Sequence, residues 1–349
     1  MSHQEPLSSN PPSSVPPAAI TADPTTIEDH LVADNDEDGD ADSAYESLAS
    51  SSTSLASTIL RYRQENGRTY HAYKELKYVL PNDDAECDRL DLQHHVFTMT
   101  FDGKLHTCPA GKDKPLQRVL DAGTGTGIWA LDFADEHPEA HVIGVDLSPI
   151  QPAFVPPNLA FYIDDLEEPW TYTENFDFIY QRMLTGSLAN WPRFMENCYE
   201  HLNPGGWVEL ADIAFPLESD DGTLPKDSAL VRWNQLVLQA ALNLGRPLDS
   251  AKQYKQQLLD AGFINVQEKV YKWPQTGWAK DRKYKEIGMW SEQNFVGGLY
   301  GLSVALFTRG LGWTADELEV FLVDVRKDLK NRFIHGYWPI WVVYGQKPE

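Results

Sequence analysis

Nine residues, Val119-Leu120-Asp121-Ala122-Gly123-Thr124-Gly125-Thr126-Gly127, constrain the fold more than any other stretch of this 349-residue chain. A short apolar strand runs into a loop with glycine at every second position, and the helical pattern Ile128 to Glu136 follows. Glycine allows the tight turn and lets a ligand approach the backbone. Strand, glycine loop and helix in that order open a doubly wound α/β domain, whose ligands bind at the carboxyl edge of the sheet. The G-x-G-x-G spacing lacks the extra residue of dinucleotide sites. Asp121 closes the strand, where a carboxylate attracts a cationic cofactor and repels a pyrophosphate. The pattern therefore points to S-adenosyl-L-methionine, with Gly123, Thr124, Gly125 and Gly127 against its methionine portion and Asp121 on its ammonium. A nicotinamide cofactor is a distant alternative.

The rest of the chain fits a mostly parallel sheet with helices on both faces, a Rossmann-like arrangement. Strands are expected at Arg118–Leu120, His141–Val145, Leu159–Ile163, Phe176–Tyr180 and Trp207–Leu210. Helices are expected at 128–136 and 192–201, with a turn at Asn203-Pro204-Gly205-Gly206. Beyond Phe215, helical patterns at 227–244, 250–261, 281–310 and 314–331 surround a strand at 262–273, and an apolar run from Tyr337 to Tyr344 closes the fold. The domain reading is a Ser/Pro-rich acidic tail at 1–57, a helical lid region at 58–117, and a cofactor-binding domain at 118–349 with a helical insertion at about 216–335.

Further acids fall at the strand ends. Asp146, followed by Leu147, closes the second strand and suits the ribose hydroxyls. Asp164-Asp165-Leu166 follows the third strand, where a carboxylate can take the adenine amino group; Asp165 is favoured for that contact. Gln181 and Arg182 end the fourth strand and face the methionine portion or the methyl acceptor. Tyr70 and Tyr73 are expected nearest the cofactor from the lid. His94 and His95 are the candidate general bases, with Arg182 as an orienting cation for a carboxylate acceptor.

Charge and cysteine content exclude several classes. The net charge of −23 opposes direct nucleic-acid binding. Its distribution is uneven, since residues 1–57 hold eleven acids and no Lys or Arg. Such a segment cannot bury enough apolar surface to order itself and is expected to be disordered. Cys87, Cys108 and Cys198 are scattered and suggest neither a disulfide framework nor a metal site. No membrane span or secretory leader is expected. The corresponding setting is the cytosol or the nucleus.

The chain resembles the fungal LaeA-like methyltransferases, a branch of the class I S-adenosylmethionine-dependent superfamily. The resemblance runs from about Tyr70 to Lys347. It rests on Tyr70-His71-Ala72-Tyr73-Lys74, Tyr78-Val79-Leu80-Pro81-Asn82-Asp83 and Arg89-Leu90-Asp91-Leu92-Gln93-His94-His95. It continues through Asp121 to Trp129, Gly144 to Pro152, and Gly205-Gly206-Trp207-Val208-Glu209. One common family form carries Val where this chain has Ala122. The resemblance implies the fold, the cofactor and a place in fungal specialised metabolism.

Two functions follow as expectations. One is methyl transfer to oxygen or nitrogen of a small specialised metabolite, whose pocket would be walled by Trp278, Trp290, Phe295, Tyr300, Phe307 and Trp313. The other is a regulatory methyltransferase acting through protein partners, engaged by the acidic tail, on secondary-metabolite gene expression or development.

Overall fold

The computed structural model describes residues 62–74 and 77–349. The acidic segment 1–57, and with it the expectation of disorder, lies outside the described residues. The described chain opens with a hairpin of β1 (Arg63–Glu65) and β2 (Arg68–Tyr70), followed by α1 (Asp84–Thr100). Then come β3 (Arg118–Ala122), α2 (Ile128–Glu136), β4 (His141–Asp146), β5 (Leu159–Ile163), β6 (Phe176–Arg182), α3 (Trp191–His201) and β7 (Leu202–Ile213). The remainder is α4 (Ala229–Asn243), a 3-10 turn, α5 (Tyr254–Asp260), β8 (Ile264–Pro274), α6 (Arg282–Ala305), a π-helical turn at Leu306–Gly310, α7 (Ala315–Leu329) and β9 (Tyr337–Gln346).

Seven strands form one sheet in the order β5-β4-β3-β6-β7-β9-β8. The first five are parallel, and β9 and β8 close the far side antiparallel. The chain starts in the middle at β3, moves out to β4 and β5, then returns to β6 and β7. That reversal opens a crevice at the carboxyl ends of β3 and β6, where ligands of doubly wound sheets bind.

The central strands are apolar on both faces because helices cover both. On one face Trp129 and Phe133 of α2 pack with Val119, Phe178 and Tyr180. On the other, Phe194 and Met195 of α3 and Tyr254 and Leu258 of α5 cover Leu120, Ile179 and Val208. A third cluster joins α1, α4, α6 and α7 above the carboxyl edge.

Three elements differ from the sequence expectation. Among its described residues, the 58–117 region is not uniformly helical: it holds a hairpin, the helix α1 and an irregular run to β3. The Asp83 carboxylate explains how these join, since it caps α1 at Glu86 N (3.1 Å) and takes a bidentate pair from Arg68 of the hairpin (2.6 Å each). The 216–335 segment contributes β8 to the main sheet and is therefore an extension of it rather than a purely helical insertion. The expected turn at 203–206 is absorbed into β7 as a register shift between Phe176 and Phe178.

Buried carboxylates on β7 anchor loops. Glu209 is fully buried and accepts from Thr107 N (2.8 Å), Thr107 Oγ1 (2.9 Å) and Cys108 N. Removing it strands those donors. Glu209→Ala should lower unfolding free energy by about 3 kcal/mol, read from the shift of the denaturant midpoint. A midpoint unchanged from wild type would show that the loop is held by other contacts.

Candidate functional site

The glycine loop is clamped by the next strand. The N–H groups of Gly123 and Thr124 both donate to Val145 O at 2.9 Å, and Gly125 N donates to Asp146 Oδ2 at 2.9 Å. Gly123 has φ +79°, which an L side chain adopts only under strain, and a Cβ there would press on the end of the Leu184 side chain, so glycine suits this position. Gly127 also has positive φ and abuts Phe161, but it caps α2 and does not line the crevice.

A cavity of about 930 Å³, open mouth included, lies over this loop. Among the sequence candidates, Asp121, Gly123, Thr124, Gly125, Asp146, Leu147, Asp164, Asp165, Leu166 and Arg182 line it. Asp121 is buried and accepts from Thr124 Oγ1 at 2.6 Å. Burial pushes its carboxyl up to about 6, opposed by the Thr124 hydroxyl and the Arg182 charge. Asp146 accepts from Gly125 N and from Ser148 N (3.0 Å), and burial likewise raises it to about 6.

The two neighbouring acids separate by their bonding. Asp165 is tied to Lys77 by an ion pair and to Glu167 N at 3.0 Å, so the preference for it as the adenine contact is corrected. Asp164 accepts from Asp165 N (2.8 Å), is half-buried, and is raised by burial and then by the Asp165 charge. It is the carboxylate better disposed toward the cavity.

Several candidates sit elsewhere. Tyr70 is buried in the apolar cluster above the edge, under the Arg309 guanidinium, and does not reach the cavity. Tyr73 stands next to Asp164 without lining the space. Gln181 is fully buried and donates to Asp212 Oδ2 (2.9 Å), which also takes Tyr254 OH (2.6 Å) through the same oxygen and Thr185 N (3.0 Å) through the other. Its role is to hold the loop after β6. His95 is exposed and meets Trp290 edge-on at 5.3 Å. Adjacent helical residues point about 100° apart, so only one of the two histidines could face inward.

His94 faces inward but both nitrogens are used. Arg182 Nη2 lies 3.0 Å from Nδ1, and Nε2 lies 2.9 Å from Asp132 Oδ2. Arginine only donates, so Nδ1 is the acceptor and Nε2 carries the proton. Burial, then the Arg182 charge, pushes this imidazole down to about 3. His94 is thus a neutral positioning residue for Arg182, and the general-base assignment is corrected for both histidines.

A second cavity of about 730 Å³, again counting its mouth, adjoins the first. Tyr78, Leu90, Gln93 and Met183 line both, and sequence reasoning missed all four. A signal existed for two of them: Leu90 and Gln93, three residues apart, share one face of α1 by helical spacing. Of the six aromatics expected to wall an acceptor pocket, only Phe295 does so; Trp278 stacks on His335, and Phe307 packs with Trp313. His335 is bonded to Asp221 (2.6 Å) outside both cavities. His106, Cys108 and Glu209 come within metal-ligand distance of one another, but Glu209 already accepts the donors of Thr107 and Cys108.

The first cavity fits a cationic nucleoside better than a dinucleotide. Five carboxylates line it, against Arg182 and a Lys77 already paired with two of them. That charge repels a pyrophosphate and favours an ammonium and a sulfonium. Parallel sheet, clamped glycine loop and acids at successive strand ends together define a class I S-adenosylmethionine-dependent methyltransferase. The chain belongs to the methyltransferase-domain family, whose profile matches residues 92–268. It is similar to methyltransferase pytC of Aspergillus terreus, with 41% identity over 86% of this chain and 92% of that protein. Probable methyltransferase tdiE of Emericella nidulans is 36% identical, covering 87% and 95% respectively. Secondary metabolism regulator LAE1 of Cochliobolus heterostrophus is 40% identical, covering 82% and 94%.

The raised carboxyls make cofactor binding depend on pH. Asp121 and Asp146 titrate near 6 in the free protein, and a bound cation lowers both. Binding should therefore release protons around pH 6 and tighten as pH rises from 5 to 7, then level off, by about tenfold per proton-linked unit at most. Calorimetric titration with S-adenosylhomocysteine in two buffers of different ionisation enthalpy reads this directly. For the free protein alone the sign is opposite: folded values above the unfolded ones mean these two groups favour folding below about pH 4 and lose that contribution as pH passes 6.

Proposed function

We propose that the protein transfers a methyl group to oxygen or nitrogen of a small specialised metabolite, in a cytosolic or nuclear setting. The observation that carries this reading is the second, largely apolar cavity, which meets the cofactor cavity along Tyr78, Leu90, Gln93 and Met183. A space enclosed by the roof of α1 and by α4 and α6 suits a compact acceptor. The similarity to proteins named as methyltransferases supports it. The similarity to a named secondary metabolism regulator supports the second reading, a regulatory enzyme acting through protein partners, with the acidic segment 1–57 as the contact.

S-adenosylmethionine, when bound, supplies a methyl group already activated on a sulfonium. Asp121 and Arg182 would hold the ammonium and carboxylate of its methionine portion, Asp146 the ribose, and Asp164 with Leu166 the adenine. None of the four residues common to both cavities is a base near neutral pH, since burial drives the Tyr78 phenol far up. The protein's contribution is then orientation and exclusion of water, with Gln93 able to hydrogen-bond the acceptor at the junction. The proton displaced from the acceptor passes to bulk solvent, so no histidine is needed to carry it.

Incubating the full chain with methyl-labelled cofactor and a metabolite extract of the producing organism tests the reading. Label in a small organic product is expected; label confined to protein would overturn it in favour of the regulatory enzyme. The positioning role of His94 has its own signature. His94→Ala should reduce kcat less than the roughly 10²–10⁴-fold loss of a general base. It should also leave the shape of the pH–rate profile unchanged. A lost ionisation in that profile would restore His94 as the base.

A further inference from the structure

The second cavity has apolar walls but one polar corner, and the bonding there is incomplete in a specific way. Arg89 of α1 is buried and spends its guanidinium on Glu86, through Nη2 at 2.7 Å and Nε at 3.0 Å, and on Asn294 Oδ1 of α6, through Nη1 at 2.9 Å. Because arginine only donates, the Asn294 oxygen must face Arg89. The Asn294 amide nitrogen is thereby turned away from it, and this nitrogen is buried with no hydrogen-bond partner. Asn294 is fully buried and lines the cavity. Thr185, on the lining of the same cavity, also has a buried, unpartnered Oγ1. A buried donor left unpaired is costly, and two around one cavity mark a place where a ligand oxygen completes the bonding.

The charge balance narrows the ligand. The one cation lining this cavity, Arg89, is closed on the Glu86 carboxylate, and no acid lines it among the described residues. Neither a carboxylate nor a lysine side chain would find an uncompensated opposite charge there, and each would lose its hydration on entering. Phe215, Trp233 and Phe295 supply aromatic surface, which favours ring contacts.

Resting on the small-molecule reading above, we propose that this cavity takes a neutral, oxygen-bearing aromatic compound. It anchors one carbonyl or phenolic oxygen of that compound on Asn294 Nδ2 and Thr185 Oγ1. The anchored end lies against α6 and the loop after β6, and the end to be methylated lies at the Gln93 junction. Asn294 and Thr185 are specificity residues.

The test uses the full chain saturated with S-adenosylhomocysteine and three probes followed by calorimetry: a naphthol, the matching naphthoate and a lysine-rich peptide. The naphthol should bind, and the other two should bind at least tenfold more weakly, the loss expected for about one desolvated, unpaired group. Asn294→Leu should weaken naphthol binding about tenfold while S-adenosylhomocysteine affinity holds. Thr185→Val, nearly isosteric and on a loop, provides the same readout if the first variant does not fold. Naphthoate or peptide binding as tightly as naphthol would overturn the neutral-ligand assignment. Unchanged naphthol affinity in a folded variant would overturn the anchor. Both results are independent of the labelling experiment, so a small labelled product together with an unaffected Asn294→Leu would sink this proposal and leave the acceptor reading standing.

Discussion

One carbonyl group organises the site. Val145 O, at the end of β4, accepts from both Gly123 N and Thr124 N, and the next residue, Asp146, accepts from Gly125 N. Three consecutive donors of a glycine loop are thus held by two consecutive residues of the neighbouring strand. The capture works only if β3 and β4 are in register, which the pairing of Ala122 with Val145 provides. It also needs left-handed φ at Gly123 and Gly125, which glycine adopts without the strain of a Cβ. Register, loop and the Asp146 carboxylate are therefore one coupled unit. Asp146 in this unit has two duties, since it closes the loop with one oxygen and faces the cavity.

A second set of buried carboxylates supports the walls. Glu209 and Asp212, both fully buried on β7, collect donors from the 107–108 segment and from Thr185. Burial pushes each up to about 7, so their charges are held at a cost that the donors offset. The placement has a geometric consequence. Asp212 fixes Thr185 N, and the Thr185 side chain then stands over the second cavity. A wall of that cavity is set by a residue that does not line it.

The parts legible in the sequence were those governed by local pattern. The β3 loop, the strand-end acids Asp121 and Asp146, and the order of strands follow from apolar runs, glycine spacing and charge. What was hidden depended on partners distant in sequence. Asp164 and Asp165 are indistinguishable as letters, and only Lys77, 88 residues upstream of Asp165, separates them. Gln181 reads as a site residue because it ends a strand at the right edge, yet Asp212 claims it. His94 and His95 read as a pair of bases, whereas helix geometry parts them and Arg182 occupies the inward one. Polar side chains were misread where a buried partner had already satisfied them.

That same satisfaction explains how the roof is tied to the floor. Through His94, α1 contacts Arg182 at the end of β6 and Asp132 on α2, and the Arg182 guanidinium also lies 5.0 Å from the Phe97 ring of α1. Arg89, one turn earlier, binds α6 through Asn294. The helix that covers both cavities is therefore bonded on one side to the cofactor edge and on the other to the wall of the second cavity. A neutral imidazole suits this post better than a charged one, because a protonated Nδ1 would oppose the arginine it now receives. Methyl transfer from an activated sulfonium asks chiefly for fixed geometry. In this fold the histidine serves that geometry by keeping its proton on Asp132's side and leaving the cation of Arg182 directed at the cofactor cavity.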